Sequence, residues 1–300
     1  MAIRIGTAPV SWGIMEVETA WGHQQTFGSV LDQMVSAGYD GTELGPWDFL
    51  PTDPARLTAE LSRRNLRLIS AFVPIDLADP AHYKEGVASA LATARLLAAC
   101  GAPVMVLADA MSERRMAIAG SVVEERDGLT GQQWNTAVKL LEDVARQARA
   151  LGVRSAFHHH AGTYIETPRE TERLLSLTDP SLLGLCLDTG HYLYGGGDPV
   201  EVAGRHAARI WHLHLKDLRG DVLDRVRREK IGFLGAVTEG LFCELGAGSV
   251  DLLGVIRALQ AGGYDGWAVF EQDVDTSRPD IEPLKTAARS RQYLRDAAGL

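Results

Sequence analysis

Histidines and carboxylates gather in a few short stretches of this chain: GTEL at 41–44, FHHHAG at 157–162, LDTGH at 187–191, HLHLKD at 212–217 and FEQD at 270–273. Imidazole nitrogens and carboxylate oxygens, with no thiolate among them, suit Mn²⁺, Co²⁺, Zn²⁺ or Fe²⁺. Carboxylates combined with open positions favour Mn²⁺ or Co²⁺. A divalent cation of this kind polarises a carbonyl and stabilises the charge that forms when the neighbouring C–H is deprotonated. Such chemistry also needs a base within hydrogen-bond reach and an acid near any departing group. His160 and His191 are the candidate bases. Lys216, two residues beyond His214, faces the same side of an extended strand and is a candidate to stabilise an oxyanion or donate a proton.

These residues can act together only if the fold brings them to one place. Eight short runs read as strands: Ile3–Thr7, Asp40–Leu44, Leu66–Phe72, Val104–Leu107, Ser155–His158, Leu183–Asp188, Ile210–Leu215 and Trp267–Phe270. The run Leu185-Cys186-Leu187 in the sixth is apolar throughout, as expected of a parallel strand covered on both faces. Helical patterns alternate with the strands. Asp53-Pro54 and Asp79-Pro80 each place a capping carboxylate before a proline at the first helical position. Gln132–Leu151 carries Val138, Leu141, Val144, Ala145 and Ala148 on one face. The segment 109–131 reads as a loop or small excursion. Arg219–Gly248 reads as a long glycine-rich insertion, a candidate lid or oligomer contact, with a basic run at Arg225, Arg227, Arg228 and Lys230.

Unbroken strand–helix alternation implies a parallel sheet with right-handed crossovers. Eight such units closing on themselves give a single (β/α)₈ barrel spanning residues 1–300. No GxGxxG follows the first strand, which disfavours a doubly wound open sheet. In a barrel the C-terminal strand ends converge on one mouth, so Glu43, His158, His160, Asp188, His212, His214 and Glu271 would meet there.

Composition narrows the function classes. The 300 residues are 46% apolar and 23% charged, with net charge -9 and a pI of about 5.5. That balance, with no extended basic stripe, speaks against nucleic acid as partner and favours a small polar substrate. No apolar run is long enough to span a membrane. The three cysteines are widely spaced, without a CxxC pair, as expected of a reducing compartment such as the cytoplasm.

DTGH after the sixth strand, HLHLKD on the seventh and FEQD on the eighth resemble the xylose-isomerase-like superfamily of divalent-metal barrels. Within it, APVSWG at 8–13, FHHHAGTYIET at 157–167 and GAVTEGLFCELGAGSVD at 235–251 are similar to the inosose dehydratases of myo-inositol catabolism. The resemblance covers nearly the whole chain. It implies metal ligands from strands five to eight: Asp188, His214 and Glu271 match the pattern, while His158 stands where the superfamily has a glutamate, with His160 as the competing residue. It implies that His191 contacts substrate and that Glu43 and Trp47 line the pocket. Trp12, Trp47 and Tyr164 are candidate apolar walls for the C–H face of a ring. The implied reaction is loss of water from a keto-inositol, with isomerisation or epimerisation of a keto-sugar as the alternative.

Overall fold

The computed structural model describes residues 3–15, 25–122, 124–278 and 280–300. Eight parallel strands close into a barrel: Arg4–Thr7, Gly41–Glu43, Arg67–Ile75, Val104–Asp109, Arg154–His158, Leu183–Asp188, Ile210–Leu215 and Trp267–Phe270. They are numbered one to eight below. Each strand pairs with its sequence neighbour, and strand eight closes on strand one from Arg4↔Trp267 to Thr7↔Phe270. The expected barrel is therefore the observed one, with strand ends shifted by up to three residues.

Alternation along the strands sorts the side chains into two layers. Two small apolar clusters lie on the same face as the strand-end histidines and carboxylates. One joins Ala8, Ile69, Trp267 and Val269, and the other Val104, Val106, Ala156 and Cys186. They form a floor beneath the polar strand ends. The opposite face packs against the helices in one large cluster that includes Leu31, Met34, Leu97, Leu141, Val144 and Leu259. The helices start where the sequence places caps. Asp53 accepts from the Arg56 amide at 2.8 Å, and Thr130 and Thr167 each form reciprocal capping boxes with Gln133 and Glu170.

Two segments depart from expectation. The chain from 219 to 248 is an ordered subdomain, not a glycine-rich loop. It contains helices Gly220–Glu229 and Phe233–Thr238, bracketed by a two-stranded antiparallel pairing of Asp217–Leu218 with Phe242–Cys243. Leu223, Val226, Phe233, Ala236 and Val237 bury its apolar face. Its basic run is partly spent internally: Arg227 donates to the carbonyls of Leu193 and Tyr194, and Arg225 pairs with Glu239. The stretch after strand four carries a short helix, Glu113–Ile118, whose Arg115 is fully buried in an ion pair with Glu170. Among the described residues no helix is long and apolar enough to cross a membrane.

Candidate active site

Strand six ends in Asp188, which is also the N-cap of a short helix, Thr189–Tyr194. Its Oδ1 accepts from the His191 amide at 2.7 Å. Its Oδ2 is buried and carries no hydrogen bond. Around that oxygen stand His158 Nε2 at 3.5 Å and His214 Nδ1 at 3.8 Å, and His214 Nδ1 lies 3.2 Å from Glu271 Oε2. One ligand atom from each of His158, Asp188, His214 and Glu271 falls within 4.8 Å of the others. Glu43 supports this group from below. Its Oε1 accepts from Ser70 at 2.6 Å and meets Nε2 of His212 at 2.9 Å and of His214 at 3.1 Å. A carboxylate on Nε2 leaves the His214 Nδ1 lone pair facing the cluster, where it too lacks a hydrogen bond.

These residues fit a divalent cation. Two buried polar atoms without hydrogen bonds, Asp188 Oδ2 and His214 Nδ1, converge with two further ligand-type atoms. Three carboxylates, Asp188, Glu271 and Asp273, surround the single ammonium of Lys216, and a dication would offset the negative charge that the lysine leaves unbalanced. His158, not His160, belongs to this group. Cys186 also lies nearby, but burial pushes its thiol up to about 12, so it does not offer a thiolate.

Lys216 follows His214 on the same face and is 1% exposed. Its Nζ lies 3.2 Å from Glu271, 3.5 Å from Asp188, 3.1 Å from Asp273 and 3.0 Å from His191 Nε2. Burial alone would lower its pKa, but the three carboxylates outweigh burial and hold it above the ordinary lysine value. Burial would likewise raise Asp188, and Lys216 and the histidines overcome it, keeping this carboxyl well below its usual range. Gly190 makes room for the lysine, since a Cβ there would come within 2.9 Å of the Lys216 Cγ.

His160 sits beside this group. Its Nδ1 lies 2.7 Å from the Ala161 carbonyl, which can only accept, so Nδ1 carries the proton and Nε2 keeps its lone pair. Burial holds it neutral, well below the ordinary histidine value. The His191 ring centroid lies 3.8 Å from that of His160, with the two planes tilted by 39°, and its Nδ1 is 3.4 Å from the Ala161 amide nitrogen.

A cavity of about 220 Å³ opens above these residues. Glu43, His158, His160, His214, Lys216, Glu271 and Asp273 form its polar side, and Val10, Met15, Phe72, Pro74 and Met111 form an apolar wall. It is sized for a small molecule. Several expectations are corrected here. Trp12 does not reach the cavity: it is buried in the short turn Pro9–Trp12, with Nε1 donating to Gln33 at 2.9 Å. Trp47 stands 46% exposed beside a separate surface depression. Tyr164 packs under the Arg115 guanidinium. His191 lies behind Lys216 and His160 and does not line the cavity, because Asp188 caps its helix and turns it inward. The apolar wall comes instead from Val10, which lies inside APVSWG, and from Met15, Phe72 and Met111, which lie outside every motif. Asp273 was also missed, although it continues the alternation Val269, Glu271, Asp273 inside the FEQD stretch.

The family model of the xylose isomerase-like TIM barrel matches residues 31–297. The chain belongs to this family. Within its range of activities, relatives described as inosose dehydratase are similar over nearly the full length. The protein of Lacticaseibacillus casei is 33% identical over 98% of this chain and 97% of its own. That of Geobacillus kaustophilus strain HTA426 is 34% identical over 97% and 93%. A crystal structure of the IOLI protein with a binding zinc atom superposes with TM-score 0.70 at 16% identity, covering 96% of each chain, and shares the family fold.

Proposed function

We propose that this protein is a hydro-lyase that removes water from inosose, the ketone of inositol, with a divalent cation held by His158, Asp188, His214 and Glu271. One observation carries the substrate: inosose dehydratases match the chain from end to end at about a third identity. The donor set of imidazole and carboxylate supports Mn²⁺ or Co²⁺ as the ion. When bound, the cation supplies Lewis acidity that stabilises negative charge on the ketone oxygen.

The chain's own residues account for the proton movements. His160 Nε2, with its free lone pair beside the cavity, takes the proton from the carbon next to the ketone. The C–H electron pair becomes the new C=C bond, and the C–O bond at the next carbon breaks. The departing hydroxyl leaves as water with a proton from Lys216 Nζ. The enol so formed carries a hydroxyl on its double bond and rearranges to a cyclohexane dione. The apolar wall of Val10, Phe72 and Met111 suits the C–H face of a ring. Glu43 serves the reaction by fixing His214 and His212. His191 orients Lys216 and His160 from behind. The three cysteines are free thiols, in keeping with the cytoplasm as the proposed location. The test is direct. Purified protein with inosose and Mn²⁺ gives a new diketone absorbance that a chelator abolishes, while myo-inositol, which lacks the carbonyl, is inert. Turnover that survives complete chelation overturns the metal-dependent reading.

A further inference from the structure

Lys216 and the cation ligands draw on the same two oxygens. Asp188 Oδ2 and Glu271 Oε2 lie 3.5 and 3.2 Å from Lys216 Nζ. The same oxygens face His158 Nε2 and His214 Nδ1 in the ligand cluster. An oxygen that coordinates a divalent ion is a weakened counter-charge for an ammonium beside it, and ammonium and dication repel each other. A buried lysine whose carboxylates are both committed elsewhere would be left uncompensated, which is costly.

Asp273 is the lysine's third carboxylate and differs from the other two. Its oxygens lie 3.1 and 3.3 Å from Nζ. It takes no part in the His158–Asp188–His214–Glu271 group, and its side chain is 2% exposed. It forms a separate trio with His160 and His191. The lysine already fills that trio, with Nζ 3.0 Å from His191 Nε2, so the trio is an ammonium seat and not a second cation site. We propose that Asp273 is a positioning residue that takes the Lys216 ammonium as its own ion-pair partner and so releases Asp188 and Glu271 for a divalent cation. The proposal rests on the cation reading above, and not on the identity of the substrate.

The experiment measures Mn²⁺ affinity by titration calorimetry for the parent protein, Asp273→Ala, Lys216→Met and the double variant. Asp273→Ala weakens Mn²⁺ binding by roughly tenfold or more, the usual loss when a group supporting metal ligands is removed. Lys216→Met binds as tightly as the parent or tighter. The double variant recovers to within about threefold of Lys216→Met, because without the ammonium there is nothing to hold off. Asp273→Asn, of the same shape, shows the same direction of change and serves if the alanine variant fails to fold. Unchanged affinity in both Asp273 variants overturns the proposal. So does a double variant as weak as Asp273→Ala, since a purely structural role would weaken binding with or without the lysine. A parent protein that binds no Mn²⁺ overturns the cation reading and this proposal together. Failure to dehydrate inosose, with the affinities as expected, overturns only the substrate.

Discussion

Asp188 divides its two oxygens between two tasks: Oδ1 caps the helix that follows, and Oδ2 faces the ligand cluster. A strand-end aspartate in a sequence can be read either as a cap or as a ligand, and here one side chain is placed for both. The division makes a clean test. Asp188→Asn keeps an oxygen for the cap, and asparagine caps as well as aspartate. It should therefore fold with a melting temperature close to the parent and lose at least about tenfold in metal affinity, measured on dialysed protein. Lys216→Met should bind the metal and lose turnover by roughly 10²–10⁴-fold, the range for a group acting in proton transfer. An active Lys216→Met enzyme would confine the lysine to charge balance. The residues of the His158–Asp188–His214–Glu271 cluster could be placed together from the sequence because they lie on strands or directly at a strand's end, where a spacing of two fixes the face. The aromatic residues were not. Trp12 lies in an irregular turn and Trp47 in a loop, where no periodicity tells which way a side chain points.

At the scale of elements, the site depends on how closely the Thr189–Tyr194 helix meets the end of strand seven. Thr189 Oγ1 donates to the Lys216 carbonyl at 2.7 Å and accepts from the Lys216 amide at 2.9 Å. Gly190 then lies so near that a methyl group would stand 2.9 Å from the Lys216 Cγ and 3.2 Å from its carbonyl oxygen. Gly190→Ala should therefore displace the lysine, lowering kcat at least tenfold while the far-ultraviolet circular dichroism stays that of the parent. Normal kcat would mean that the lysine tolerates the shift. The closeness could not be read from DTGH alone, which reveals a tight turn but not what packs against it. The insertion after strand seven was misread for a related reason. Its glycines suggested a loop, yet Leu223 and Val226 are spaced as one face of a helix, and the apolar pattern was the better guide.

Across the whole molecule, burial sets the protonation of groups outside the cluster as well. Glu166 is 1% exposed, and its two oxygens accept from the amides of Gly120 and Gly162, each at 2.7 Å. It ties the stretch after strand four to the turn that carries His160. Burial outweighs these two hydrogen bonds and raises its pKa from the ordinary 4.5 to about 7. Between those values the native state holds a proton that the unfolded chain has lost, so this group's contribution to stability falls as pH rises through that window, by about 3 kcal/mol at most. His158, His160 and His191, whose pKa values burial lowers, act in the opposite direction below their ordinary value. Comparison with Glu166→Gln isolates the carboxyl. The difference in melting temperature, variant minus parent, should rise by several degrees from pH 5 to pH 8 in metal-free protein. A constant difference would show that Glu166 does not titrate in this range.

The architecture as a whole was readable because eight short strands alternate with helices whose caps and apolar faces announce themselves locally, and closure follows from their number. Which reaction the mouth carries out is a matter of where a proton and a hydroxyl go, and proton NMR in deuterated water follows both. The account predicts that inosose with the Mn²⁺-loaded protein gives a cyclohexane dione that has lost one water. A product of unchanged mass apart from incorporated deuterium, inverted at the carbon next to the ketone, would contradict it and make this barrel an epimerase.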